Sequence, residues 1–128
     1  MLQKVTPELF TWSPASVTYA AAEHADGSLI SEQQPASVGE VIELYGTGFG
    51  PTSPPVAVSQ AAFPPAQLAA PVTVTIGGAT AQVAWAGLIG PGLYQINVEV
   101  PAVPMGDQPV SLSVSGFQSA PSVYLAVQ

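Results

Sequence analysis

The chain has 128 residues, with one lysine, no arginine and eight acidic residues, which give a formal net charge of −7 at pH 7. It cannot assemble a basic patch, so the charge argues against nucleic-acid binding and against attachment to anionic membranes. No apolar run approaches the roughly 20 residues of a membrane-spanning helix, and the absence of cysteine excludes disulfides and thiolate chemistry.

The length predicts a single domain, and the 14 prolines and 12 glycines predict many turns and little helix. Residues 1–12 are predicted to be a leading linker or first strand, because Pro7 disfavours a central strand, and residues 13–128 to be the domain itself. The first ten residues lack the apolar core of a signal peptide, so if the protein is exported, its signal is expected upstream of this sequence.

The first half of the chain predicts short strands joined by turns. Asp26-Gly27 indicates a hairpin with short arms. Residues 41–45, VIELY, predict a strand that ends in GTGFGP, where the glycines allow a sharp change of direction. Residues 52–71 are predicted to form a long irregular excursion, attached to the core through Phe63 and Leu68.

Residues 72–100 predict three strands that set the register of the sheet. Val72, Val74 and Ile76 alternate with threonines and are followed by Gly77-Gly78, a pair typical of a tight hairpin. In the return strand, the two-residue alternation puts Trp85 on the same face as the apolar residues. Trp85 is therefore predicted to lie in the core.

In the third strand, Tyr94 shares the apolar face and is predicted to lie in the core. Gln95 and Asn97 lie on the opposite face, where a structural role is expected for the two amides. Residues 109–115 and 122–127 alternate in the same way, so the chain as a whole predicts an all-β fold. The expected architecture is an immunoglobulin-like antiparallel β-sandwich of seven to nine short strands with little helix.

A set of segments, taken in order, resembles a known family: PELFTW, AAAEHADGSLIS, PASVGEVIELYGTGFGP, VTVTIGGATAQVAWAGL, GLYQINVEVP and VSLSVSGFQS…VYLAVQ. They are similar to the C-terminal immunoglobulin-like (IPT/TIG-like) domain of exported multidomain proteins of Solibacter and other Acidobacteria. The resemblance runs from about Thr6 to Gln128 and implies the second half of a tandem. It also implies a secreted or cell-surface location, neighbouring domains as partners and no catalytic residues. One departure is His24-Ala25 where the family usually has Asn before the Asp-Gly turn.

Aromatic side chains are the main candidates for a binding site. Trp12, beside the presumed domain junction, is the best candidate for an exposed or interface aromatic, and Tyr19 and Phe63 are further ligand-binding candidates. Together with Trp85, Tyr94 and Tyr124, such side chains could form a platform that stacks on sugars, although the alternation favours the core for Trp85 and Tyr94.

The other motifs are weak indications of a catalytic, metal-binding or phosphate-binding site. His24 is the only histidine and is expected at an exposed hairpin tip, and no G-x-S-x-G nucleophile elbow is present. Glu23 and Asp26 could bind Ca²⁺ together with backbone carbonyls, although the D-x-D-x-D-G pattern is absent; otherwise no cofactor is expected. GTGFG lacks the G-K-[ST] ending of a phosphate loop.

The sequence therefore predicts a non-catalytic module of a secreted or cell-surface bacterial protein, acting as a structural spacer or as an adhesion or interaction domain. The alternative is a carbohydrate-binding module that uses exposed aromatics, with a glycan as its partner. A small hydrolase is the least supported reading, because no nucleophile–base pair stands out. Neither nucleic-acid binding nor membrane insertion is expected.

Overall fold

The computed structural model describes residues 7–14, 16–50, 52, 66–119 and 121–128, and this part of the chain is all-β. None of its residues forms a helix, so it contains no helix long and apolar enough to cross a bilayer. Its twelve strands are β1 (Glu8–Leu9), β2 (Thr11–Trp12), β3 (Tyr19–Ala20), β4 (Ala22–Glu23), β5 (Val41–Thr47), β6 (Ala66–Gln67), β7 (Val72–Ile76), β8 (Ala79–Gly90), β9 (Leu93–Glu99), β10 (Gly106–Val114), β11 (Phe117–Gln118) and β12 (Tyr124–Val127).

The strands form one sheet that is nearly closed on itself. Its order is β1-β5-β9-β8-β7-β10-β12-β3-β2, with β4 on β5, β6 on β8 and β11 on β10. The closure runs through residues 19–23, since β3 pairs with β12 at one end of the path and β4 pairs with β5 at the other. A strand that changes partners in this way makes a corner between two faces of a sheet.

The strand count exceeds the predicted seven to nine because such corners divide extended segments into two-residue pieces. Residues 8–12 pair first with β5 and then with β3, and the partners change at Phe10. Pairing is antiparallel almost throughout, as expected. In the described residues the exceptions are the contact of β12 with β3 and the bridge of Ala36 to Val127, which are parallel.

The hydrophobic core lies between the inner faces of the sheet and follows the predicted alternation. The fully buried side chains include Ile42 and Leu44 on β5, and Leu112 on β10. Tyr94 is also buried, as predicted, and Leu68 joins the core beside β6. Each such side chain contributes roughly 1.5–3 kcal/mol through removal of apolar area from water.

Trp85 does not join this core, and the prediction that it would is wrong. Val83 pairs with Val98 and Trp85 pairs with Asn97, so Ala84 is an extra residue in β8 with no counterpart in β9. This β-bulge shifts the alternation by one residue. After it, Ala86 and Leu88 are buried, and Trp85 lies half-exposed on the outer face.

The predicted hairpins are confirmed. Gly77 and Gly78 connect β7 to β8 with φ angles of 62° and 81°, the positive values that the tightest hairpin turns require at both central positions. At Asp26-Gly27 the chain also reverses: the His24 amide donates to the Ser28 carbonyl, and Glu23 then pairs with Leu29.

The glycine-rich segment after β5 folds back over the strand that precedes it. Phe49 is fully buried and packs on Tyr94 with ring centroids 5.0 Å apart, while the Tyr94 hydroxyl donates to the Gly50 carbonyl at 2.8 Å. The ring of Phe49 also lies against Gly46: a Cβ there would be 2.7 Å from Phe49 Cζ and still closer to the backbone oxygen of Glu8. Glycine at position 46 is therefore a steric requirement.

We expect Gly46→Ala to lower the free energy of unfolding by about 1–3 kcal/mol, the usual cost of overpacking a core. The neighbouring oxygen belongs to β1, which is held against β5, so it cannot move aside cheaply. Urea denaturation measures the change. Gly90→Ala is the matched control, since a Cβ there meets nothing nearer than 3.9 Å and its backbone is unstrained; equal losses in both variants would contradict this account.

Candidate binding surface

The outer face of the sheet carries a straight row of four side chains on four neighbouring strands. Glu23 on β4 pairs with Glu43 on β5, Glu43 pairs with Asn97 on β9, and Asn97 pairs with Trp85 on β8. All four side chains are partly exposed, and the residues next to them in β5 and β9 are buried. We call these four residues the outer row.

A second line of residues lies beside the outer row and holds it in place. Tyr45 pairs with Gln95, and Gln95 pairs with Gly87, which contributes no side chain. The Gln95 amide donates to Asn97 Oδ1 at 2.7 Å and to Glu43 Oε1 at 3.2 Å. Gln95 thereby fixes the orientation of both neighbours.

Two glutamates face each other directly in the outer row. Like charges in opposed positions destabilise a sheet. The Tyr45 hydroxyl donates to Glu23 Oε1 at 3.1 Å. Burial raises the pKa of the Tyr45 phenol well above its usual value, and the hydrogen bond to Glu23 and the charge of Glu43 raise it further. Tyr45 therefore stays protonated and remains a hydrogen-bond donor between the carboxylates.

Trp85 and Asn97 are the members of the outer row whose side-chain N–H groups are available to a ligand. Trp85 makes none of the side-chain hydrogen bonds found in the described part of the chain. The sole buried unpaired side-chain nitrogen or oxygen in that part is Trp12 Nε1, so the Trp85 indole N–H faces solvent. Since the oxygen of Asn97 is turned toward Gln95, its amide hydrogens are available to a ligand.

This arrangement can bind a polar ligand. It presents an aromatic ring, amide donors and carboxylate acceptors on strands whose register is fixed, which is the mixture of apolar and polar groups that recognises polar organic ligands. The outer row and its supporting residues include no serine, cysteine or histidine. The groups present can hold a ligand through an aromatic ring, amide donors and two carboxylates.

Trp12 on β2 pairs with Tyr19 on β3, and Tyr19 is buried. Tyr19 is 3% exposed, and its hydroxyl lies 2.7 Å from Glu32 Oε1 and 2.9 Å from Asp107 Oδ1. Burial, followed by these hydrogen bonds, raises the pKa of its phenol well above the usual value. Trp12 is half-buried, with its ring 5.9 Å from that of Tyr19. Tyr19 is thus buried and held by two carboxylates, and its role in ligand binding stays a prediction.

The other predicted site residues are Phe63 and the pair of Glu23 with Asp26. Phe63 lies outside the described residues. Glu23 and Asp26 bond different partners, since Glu23 accepts from Tyr45 whereas Asp26 accepts from the amide and hydroxyl of Ser28. The described residues contain no group of three or more His, Cys, Asp or Glu side chains suited to a metal ion.

His24 is not the exposed tip residue that the sequence predicted. Its side chain is 18% exposed and is held at both ring nitrogens: Nδ1 bonds Glu40 Oε2, and Nε2 lies 2.9 Å from the Gln34 carbonyl oxygen. Both partners are acceptors, so hydrogen bonds at both nitrogens require the protonated ring. The other oxygen of Glu40 accepts from the Ser37 amide at 2.9 Å. These bonds tie the loop of residues 31–40 to the end of β4.

Sequence reasoning missed most of the outer face. Alternation had correctly put Gln95 and Asn97 on the polar side of β9, but nothing in the sequence marks Ala84 as a bulge, so Trp85 was assigned to the wrong face. The meeting of Glu23 with Glu43 depends on pairing between segments twenty residues apart. Comparisons of the chain with protein-family models, curated protein sequences and solved structures found no match.

The His24–Glu40 pair makes stability depend on pH. The hydrogen bond to Glu40 is the largest cause that raises the pKa of His24 above its ordinary 6.5. A raised pKa in the folded state means that the contribution is fully present below about pH 6.5 and is lost as the pH rises through the folded-state value. We expect the coupling free energy to be about 1 kcal/mol at pH 6 and to decline at pH 8–9.

A double-mutant cycle with His24→Gln, Glu40→Gln and both together, followed by urea denaturation at several pH values, measures this coupling. The cycle subtracts the effect of each substitution alone. A coupling that stays constant or grows between pH 6 and pH 9 would show that His24 is not charged in the folded protein.

Proposed function

We propose that this domain is a non-catalytic interaction module of a secreted or cell-surface protein, and that it binds its partner through the outer row. The single observation that carries the proposal is the row itself: Trp85, Asn97, Glu43 and Glu23 in direct register on four strands. Folded proteins place large aromatic side chains on a rigid polar face at binding sites more often than elsewhere on the surface.

The role of His24 supports a function without catalysis. A hydrolase of the Ser-His-Asp kind needs a histidine nitrogen free to take a proton from serine. Here both ring nitrogens of the only histidine are engaged, one by Glu40 and one by the Gln34 carbonyl. With no cysteine in the chain, thiolate chemistry is absent as well.

The exported location and an immunoglobulin-like classification belong to the same proposal. The all-β, nearly closed sheet is compatible with an IPT/TIG-like domain, and the order of segments from PELFTW to VYLAVQ supports that family and its surface location. The net charge of −7 agrees with this role, because charge repulsion keeps copies of an acidic domain apart in solution.

Retention of the labelled domain on cell-envelope preparations tests the proposal. Envelope polysaccharide and envelope protein from a Solibacter strain are immobilised separately. We expect the wild type to be retained on one of them and the double variant Trp85→Ala/Asn97→Ala to lose at least about tenfold in affinity, since central aromatic residues carry most of the energy of an interface.

Phe117→Ala is the matched control. Phe117 is another aromatic residue, 56% exposed, but it lies on β11, which pairs with β10 away from the outer row. Its removal should leave retention unchanged. Retention on neither preparation, or equal retention of the wild type and the double variant with native circular dichroism, would contradict the proposal.

A further inference from the structure

The outer row has the length of an extended ligand. Neighbouring strands lie about 4.8 Å apart, so the ends of a row across four strands are about 14 Å apart. That distance matches a short oligosaccharide better than a monosaccharide or an ion. The row ends at Trp85, and the next outward pair along β8 and β9, Gln82 with Glu99, borders a surface hollow of about 340 Å³.

The hydrogen-bonding groups of the row narrow the chemistry of the ligand. The free groups on Trp85 and Asn97 are N–H donors, whereas Glu43 and Glu23 are acceptors with capacity left beyond their bonds to Gln95 and Tyr45. A ligand that covers the row must therefore both accept and donate. Hydroxyl groups do both, whereas the side chains of lysine and arginine only donate and carboxylates only accept.

Charge excludes the anionic alternatives. The row holds two carboxylates, and the whole chain contains a single lysine and no arginine. Phosphate, sulfate and uronate groups would be repelled by these carboxylates. A neutral polyhydroxylated ligand avoids this cost.

Trp85 supplies the apolar part of the contact. Its ring is partly exposed at one end of the row and has the side-chain-free Gly87 two residues further along the same strand. The C–H face of a pyranose ring is apolar and flat, so it can pack on the indole while its hydroxyls reach toward Asn97.

We propose that the outer row binds a neutral oligosaccharide, with a pyranose ring on Trp85 and successive hydroxyls bonded to Asn97 and Glu43. This inference rests on the proposed interaction function and specifies its ligand class. Gln95 is a positioning residue in this site, because both its amide hydrogens hold Glu43 and Asn97 in the orientation that the hydroxyls need.

Isothermal titration calorimetry on the unsubstituted protein tests the inference directly. The probes are neutral pentasaccharides of β-linked glucose, β-linked xylose and β-linked mannose, with pentagalacturonate as the anionic probe and pentalysine as the cationic one. We expect saturable binding of at least one neutral pentasaccharide, weaker binding of its monosaccharide, and none of pentagalacturonate or pentalysine.

Variants then locate the site. Trp85→Ala and Asn97→Ala should each weaken binding of the pentasaccharide about tenfold or more, and Phe117→Ala should leave it unchanged. Gln95→Ala should weaken it less than Asn97→Ala, since Gln95 acts through its neighbours. In a Trp12→Phe background, Trp85 is the sole tryptophan, and its fluorescence should shift to shorter wavelength on binding.

The outcomes separate this inference from the proposed function. If no neutral pentasaccharide binds but retention on envelope protein still depends on Trp85, the interaction module stands and the sugar ligand is wrong. Binding of pentalysine at the row in place of sugar would identify a cationic partner and overturn the inference. Sugar binding that survives both Trp85→Ala and Asn97→Ala in folded protein would place the site elsewhere and overturn it too.

Discussion

The fold depends on a corner in the backbone near Ala21. Its amide donates to the Phe10 carbonyl at 2.7 Å, and its carbonyl accepts from the Tyr45 amide at 3.3 Å. The Phe10 amide in turn donates to the Tyr45 carbonyl at 2.9 Å. Through these bonds residues 19–23 belong to both ends of the sheet. An open sheet would leave two edges with unpaired backbone groups, and the corner removes most of that exposure.

Closure of the sheet also explains how the chain protects its sheet edges from aggregation with so few charged residues. Unpaired edges invite aggregation, and many proteins protect them with lysine. This chain has one lysine and uses pairing instead: residues 8–12 cover the edge near β5, and the Ala36 region bonds to β12 through the amides of Ala36 and Gln128. The His24–Glu40 pair then holds the loop of residues 31–40 where those bonds can form.

The bulge at Ala84 connects the fold to the candidate site. Before the bulge, the side chains of β8 alternate as its pairing with β7 sets them, and Ala81 is buried. After it, the alternation is reversed, so that Ala86 and Leu88 fill the core. A single extra residue thus places the small Ala86 inside and the large Trp85 outside, next to the amide of Asn97. Bulges commonly re-aim side chains in this way at functional positions.

The sequence by itself determined the class of the fold, the hairpins at Asp26-Gly27 and Gly77-Gly78, and the buried faces of β7, β9 and β10. These features depend on local chemistry: the two-residue period of a strand, and the positive φ that glycine tolerates. The tertiary structure alone decided that the sheet closes at Ala21, that Trp85 faces outward, and that Glu23, Glu43, Asn97 and Trp85 form one row. Those outcomes depend on register between strands distant in the chain, and a one-residue shift in register moves a side chain to the opposite face.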